Sequence, residues 1–339
     1  MLPPLLSIAE LQIPLPGNET HWSASYEQWQ RLSPPQPAST LCAVLARIGL
    51  EDALLSSLEQ PAQLTTLLSA FVQQAAHHDL LQAMASALEN DGIYQQSLVF
   101  DTSAAPFRKA LDALLRAGCS QPLREVFFGV VPNDFAVVAR VLSIFSFTPP
   151  RLLFPYTKWQ TTEVGHSAAR AEISEIVTRD IGRARHCLYH AVQVFQYFRA
   201  TQVSMYFDVF RFLGCVLYMV LYVEVIEQQQ LNLADRGIIV GYPAVDIVRL
   251  EQLNPEHREG WLNLSYQFRI HVTGIGLLDS GRSVARLYKE SSRVMANSAT
   301  ISGIAGAMSK ILEKQAMGCP PEFQDGQPPT QRQHSQSVG

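Results

Sequence analysis

Two histidines one helical turn apart, in His186-Cys187-Leu188-Tyr189-His190, could in principle hold a metal ion, because residues four apart share one face of a helix. A zinc protease helix would need a glutamate at position 187, where this chain has Cys187, and no third ligand is identifiable. The spacing therefore reads as His186 on a polar face and His190 packed and hydrogen-bonded inside. His77 and His78 are adjacent and point to different sides of a helix, as surface residues do. Gly274-Ile-Gly-Leu-Leu-Asp-Ser-Gly281 imitates a dinucleotide loop, but the fingerprint requires glycine where Asp279 stands and a strand before it; a helix break with a turn is the expectation. The chain has no Gly-Lys dipeptide and so no Walker A loop. Gly281-Arg-Ser-Val-Ala285 lacks the closing glycine of a nucleophile elbow. No Asp-Asp pair is present to gather magnesium for diphosphate chemistry. None of these patterns supports a catalytic class, and the chain is read as not an enzyme, with no catalytic, cofactor or metal residue assigned.

The elements that would position any site are helical. Leu64, Leu67, Leu68, Phe71 and Ala75 recur at spacings of three and four, continued by Leu81, Met84 and Leu88. Ser103 and Pro106 open a segment with Phe107, Leu111, Leu114 and Leu115 on its stripe and Gly118 at its end. The longest pattern runs through Ile173, Ile176, Val177, Ile181, Ala184, Leu188, Ala191, Phe195 and Phe198. Its opposite, polar face carries Glu172, Glu175, Arg179, Arg183 and Gln193. A second helix, about Val203 to Glu227, is apolar almost all round and is expected at the centre. Further helices are expected over Trp261 to Leu278 and Ile301 to Gln315. Val126 to Val131 is a candidate short strand, but no regular alternation predicts a sheet. Ser33 to Pro37 is a proline-rich loop leading into a helix capped by Ser39 or Thr40. The expectation is an all-α fold, an irregular multi-helix domain over residues 1–319, with a disordered tail over residues 320–339.

Composition bounds the partners. The 339 residues include 26 Lys and Arg against 30 Asp and Glu, a formal net charge of −4, so the chain lacks the basic surplus that autonomous DNA binding needs. Hydrophobic residues make up 47% and charged ones 17%, which predicts a large core and a thinly charged surface. The cysteines Cys42, Cys119, Cys187, Cys215 and Cys319 form no CxxC pair, which excludes a zinc finger or cluster within the chain and suits reduced thiols. Met1-Leu-Pro-Pro-Leu-Leu has no basic region or cleavage site of a signal peptide. The charge-free stretch Phe212 to Val223, between Arg211 and Glu224, is too short for a bilayer span of about 20 residues and reads as a buried core helix. No membrane partner is expected.

The order of several pieces resembles a known family. Glu10-Leu-Gln-Ile-Pro-Leu-Pro16, then Trp22-Ser-Ala and Tyr26-Glu-Gln-Trp29, resembles the E-L-x-x-P-x-P … W-x-A … W segment of the fungal-specific transcription factor domain. That domain is the middle homology region of fungal zinc-finger and zinc-cluster regulators, of the xylanolytic-activator type. Trp159 followed by Ala184-Arg-His-Cys-Leu-Tyr-His190-Ala-Val-Gln193, and Arg199 beyond, is similar to the family's A-R-x-C-L-x-H-A-x-Q … R helix. The apolar helix that follows and Gly274-Ile-Gly276 before a terminal helix match the subtype found after paired two-Cys-two-His fingers. The resemblance extends from about Ser7 to Lys314.

The resemblance implies the regulatory region of a nuclear RNA polymerase II transcription factor, working through coregulators, an effector or a homodimer. It also implies that zinc and DNA binding belong to an N-terminal module absent from this chain, so that no cofactor is expected here. The family's domain begins well before the E-L-x-x-P segment, so the chain is expected to be its C-terminal portion and to expose an apolar strip where helices are missing. Trp22 and Trp29, two helical turns apart, and His190 and Gln193 are the candidate effector-pocket or packing residues. The competing reading is a helical small-molecule-binding protein, or an enzyme with an unrecognised site. A third is a membrane-peripheral protein built on Phe212 to Val223.

Overall fold

The computed structural model describes residues 15, 25, 27–28, 40–47, 58, 62–63, 65–72, 109, 111, 115, 134–157, 161–201, 203, 206–235, 246–252, 260–262, 268–278, 281–297 and 303–318. Trp22, Trp29, Trp159, His77, His78, the segment 126–131 and the tail 320–339 lie outside them.

The first described helix, α1 (Leu41–Arg47), starts where the sequence places it. Thr40 Oγ1 accepts from the Ala43 amide at 3.3 Å, so Thr40 rather than Ser39 is the cap. Helix α2 (Asp134–Phe147) is buried along nearly its whole length. It ends at Pro149 and Pro150, where the chain bends by 74° into the short α3 (Pro150–Leu153) and a 3-10 turn, Phe154–Thr157.

The long apolar pattern from Ile173 to Phe198 becomes two helices, α4 (Glu163–Arg179) and α5 (Ile181–Thr201). Asp180 divides them: its backbone leaves helical geometry, and its Oδ1 accepts the Arg183 amide at 2.9 Å as the cap of α5. Thr162 caps α4 in the same way, accepting from Gly165 at 3.1 Å. The pattern survives the break because both stripes face one core; Ile173, Val177, Ala184, Leu188, Ala191 and Phe195 are fully or almost fully buried.

Helix α6 (Tyr206–Asp235) is the expected central helix, eight residues longer at its C-terminal end than the pattern suggests. Every residue from Phe212 to Val223 is buried. The span Phe207–Ile226 is long and apolar enough to cross a membrane by length and composition, yet 78% of its most apolar window is covered by the fold. α6 packs on α5 through Phe212, whose ring stacks on Phe195 with centroids 5.7 Å apart and meets Phe198 edge-on. Tyr218 crosses the same seam and donates its hydroxyl to the Ala184 carbonyl at 2.8 Å, which satisfies the one polar atom it carries inside. Burial holds that phenol in its neutral form far above its ordinary pKa.

The C-terminal part differs from the sequence expectation. Among the described residues of the predicted Trp261 to Leu278 segment, 261 and 262 are helical, with Trp261 almost wholly buried. Residues 268–278 instead belong to a three-stranded sheet in the order β1-β2-β3: β1 (Asp246–Arg249), β2 (Phe268–Val272) and β3 (Gly276–Leu277). β1 runs parallel to β2, with Val248 level with Ile270, and β2 antiparallel to β3, with His271 level with Leu277. A strand therefore does precede Gly274, and the glycines serve a hairpin rather than a helix break. Gly274 and Gly276 have φ of 90° and 95°, the left-handed region that glycine enters without steric cost. The sheet is too short and irregular to show a period in sequence.

Helices α7 (Gly281–Asn297) and α8 (Gly303–Gly318) then form the most heavily packed pair. α8 falls within the helix expected over Ile301 to Gln315, and its apolar residues form one stripe: Ala305, Met308 and Leu312 are buried, with Ile304 and Ile311 half-buried against the core. Among the described residues the large exposed apolar side chains are Leu68, Val72, Val164, Phe207, Ile247 and Met317. They form no longer apolar row on any described helix, so the expected strip is not displayed there.

The α2–α6 contact leaves no room for a side chain at Gly214, where an added Cβ would stand 2.6 Å from two ring atoms of Phe145. Gly214→Ala is expected to lower unfolding stability by about 1–3 kcal/mol through overpacking. Urea denaturation would show it, and Phe145→Leu in the same chain should recover part of the loss.

Candidate functional site: the polar residues of the central helix

Helix α5 is buried on all sides from Cys187 to Phe195, so each polar side chain along it must find a partner on another element. His186 is exposed and His190 is 8% exposed, as the spacing suggested. His190 Nδ1 lies 3.2 Å from Nη1 of the fully buried Arg140 on α2. A guanidinium can only donate, so Nδ1 is the acceptor and the neutral ring carries its proton on Nε2. The Arg140 guanidinium also lies over the Tyr189 ring, 5.8 Å from its centroid. Among the described residues no three His, Cys, Asp or Glu side chains gather as a metal site.

Gln193 is not on the polar face. It is 4% exposed, and its amide donates to the Leu250 carbonyl at 3.0 Å, in the 3-10 turn Leu250–Gln252 that follows β1. A helix wrapped on every side has no solvent face at that height. A glutamine there can still reach a carbonyl that the tight turn leaves open. Trp22 and Trp29 fall outside the described residues. Of the four candidates, His190 and Gln193 are thus placed by the structure. They point to different neighbours, His190 to α2 and Gln193 to the sheet.

Two further residues belong to this set. Arg185 Nη1 donates to the Leu262 carbonyl at 2.6 Å, so a buried guanidinium ties α5 to the segment around Trp261. Arg199 reaches the hairpin: Nη1 donates to Thr273 O at 2.6 Å, and Nε to Glu290 of α7 at 2.8 Å. Its guanidinium fills the space beside Gly274, where an added Cβ would stand 2.5 Å away. Gln196 also donates to Thr273 O, at 3.0 Å, while Glu251 accepts from both the amide and the hydroxyl of Thr273. The glycine the sequence singles out is therefore a close approach to an arginine. The signal was present, because Arg185 and Arg199 stand in the quoted helix motif. Their roles were not legible, since the carbonyls and the carboxylate that tie them to other elements lie more than 70 residues away.

The arrangement binds one helix to α2, the β1 turn, the β2–β3 hairpin and α7 by directional bonds. It can transmit a displacement at one of these elements to the others, because a buried polar group that loses its partner costs far more than an exposed one.

Gln193→Leu should leave the Leu250 carbonyl without its side-chain donor and reduce unfolding stability by about 1–3 kcal/mol. Gln196→Ala should change it by less than about 0.5 kcal/mol, because Thr273 O keeps Arg199. Chemical denaturation of both variants separates the two. The Glu290 carboxyl is held below its ordinary range, first by hydrogen bonds from Arg293; burial opposes this, and the hydrogen bond from Arg199 with the charges of both arginines outweighs that opposition. A lowered folded-state pKa contributes stability that is complete above the ordinary carboxylate value of about 4.3. That contribution is lost as pH falls from there through the folded value. Denaturation midpoints measured from neutral to acid pH should fall less steeply below about pH 5 in Glu290→Gln than in the native chain.

No protein-family model matches the chain, and no solved structure matches it. Over 286 residues it is 23% identical to a protein named as a transcription factor from Gibberella fujikuroi (strain CBS 195.34 / IMI 58289 / NRRL A-6831). That alignment covers 84% of this chain and 33% of the relative, so the chain spans about a third of the length of the protein it matches. The described chain, helical from α1 to α8 around one small sheet, is similar over most of its length to part of a fungal transcription factor.

Proposed function

We propose that this chain is the regulatory region of a fungal transcription factor, acting through partner or effector binding rather than catalysis. The observation that carries the reading is the similarity just described, which takes in 84% of the chain but only a third of the relative. DNA recognition then belongs to a zinc-finger module elsewhere in such a protein, in keeping with this chain's net charge of −4. The setting is the nucleus, and the type of domain is that of the fungal middle homology region.

The mechanism is conformational. A partner or effector that binds one arrangement of the helices better than another shifts the population between them, by as much as its difference in affinity. Helix α5 is the element on which such a shift would act, because Arg185, His190, Gln193 and Arg199 each hold a different neighbour. His190 and Gln193, with Trp22 and Trp29, are the residues through which an effector would be sensed.

Fused to an unrelated DNA-binding module, the full chain should change expression of a reporter carrying that module's site. His190→Leu should alter the response at equal protein level. The chain alone should give no sequence-specific shift of DNA in a gel. An inert fusion, or a zinc-dependent specific shift by the chain alone, would overturn the assignment.

A further inference from the structure

The segment 281–318 is the basic pole of an acidic chain. It holds Arg282, Arg286, Lys289, Arg293, Lys310 and Lys314 against Glu290 and Glu313, a formal +4 within a total of −4. Four of these cations stand on α7 at intervals of four, three and four residues. At 100° per residue they fall within an arc of about 60° and form a straight row about 16 Å long. The opposite face of α7, with Val284, Leu287, Ser291 and Met295, is buried against the core. Arg286, Lys289 and Arg293 are exposed and Arg282 half-exposed, so the row runs down the middle of the outward face.

The same helix displays what its arginines bind. Arg293 grips the Glu290 carboxylate with two bonds, Nε to Oε2 at 2.9 Å and Nη2 to Oε1 at 2.8 Å. Glu290 sits at the margin of the row and is shared with Arg199 from the inner side. A carboxylate thus already takes the bidentate geometry for which guanidinium is suited.

We propose that the outward face of α7 docks an acidic polypeptide segment, a helix whose carboxylates repeat at three- and four-residue spacing beside the row. A partner helix with that spacing lays its carboxylates along the positive field of the row, as charged flanks do between paired helices, while Arg293 keeps its bonds to Glu290. Duplex DNA fits less well. The gain from counterion release grows with each phosphate neutralised, and a row of four cations neutralises few. Outside this segment the chain carries 20 cations against 28 anions, and a rigid polyanion longer than the row must lie against that surface too. A short acidic helix stays within about one Debye length, 8 Å, of the row. The docking rests on charge geometry alone and names a class of partner for the regulatory reading; it can fail in solution while the reporter fusion still responds.

The test is fluorescence anisotropy with the full chain. One probe is a labelled acidic peptide of about 15 residues, with Glu and Asp at helical spacing among alanines and leucines, long enough to span the row. The other is a labelled duplex of about 20 base pairs. Wild-type protein should bind the peptide in preference to the duplex, and raising the salt from about 50 to about 300 mM should weaken that binding. The double reversal Arg286→Glu with Lys289→Glu should weaken it about tenfold or more. The same charge change elsewhere, Arg47→Glu with Arg179→Glu, should leave it within about twofold. Circular dichroism should report all variants folded, because the altered side chains are exposed. The proposal is overturned if the wild type does not bind the peptide at low salt, if it prefers the duplex, or if the reversal on α7 has no larger effect than the control.

Discussion

A helix buried on every side cannot leave a polar side chain unpaired, and the architecture depends on how α5 meets that condition. Burying an unbonded amide or guanidinium costs several kcal/mol, a large part of the stability of a whole domain. Arg185, His190, Gln193 and Arg199 therefore end on a carbonyl, a carboxylate or another buried side chain. Those partners come from α2, from the turn after β1, from the segment at Leu262 and from the hairpin and α7. The apolar contacts with α6, such as Phe195 on Phe212, supply attraction without direction. The polar bonds supply direction.

This division explains why a small sheet sits inside a helical protein. Leu250 O and Thr273 O accept from Gln193, Gln196 and Arg199, so the end of the sheet where the parallel β1 and β2 both finish is fixed against one helix. The positive φ of Gly274 lets the hairpin backbone come close enough for the Arg199 guanidinium to reach it. Arg199 thereby joins α5 to the hairpin on one side and, through Glu290, directly to α7 on the other.

Much of the helical frame was legible from local chemistry. The Thr40 cap, the buried stretch Phe212 to Val223 and the stripe on α8 follow from side chains within a turn or two of each other. The His186–His190 spacing also resolved as read, one ring outside and one inside. The break at Asp180 was missed because apolar spacing continues through it, although an aspartate before a helical run is a cap signal. The strands between residues 268 and 277 were missed because each is too short to establish a period of two, and their pairing partner β1 lies some 20 residues away. Gln193 was misplaced because periodicity assumes that a helix has a solvent side.

By itself the sequence determined the helical class, the central helix and its neighbours, several helix starts, and the surplus of cations near the C-terminal end. Those are consequences of residue type at short spacing, where propensity, capping and amphipathic period act. Only the tertiary structure decided which polar residues of α5 are buried and what each holds, that Gly274 makes room for an arginine, and that the α7 cations face outward. These depend on contacts between residues far apart in the chain, such as Arg199 with Glu290 and Arg140 with His190. No local pattern encodes such pairs, because their energies arise only once packing has removed water from between them.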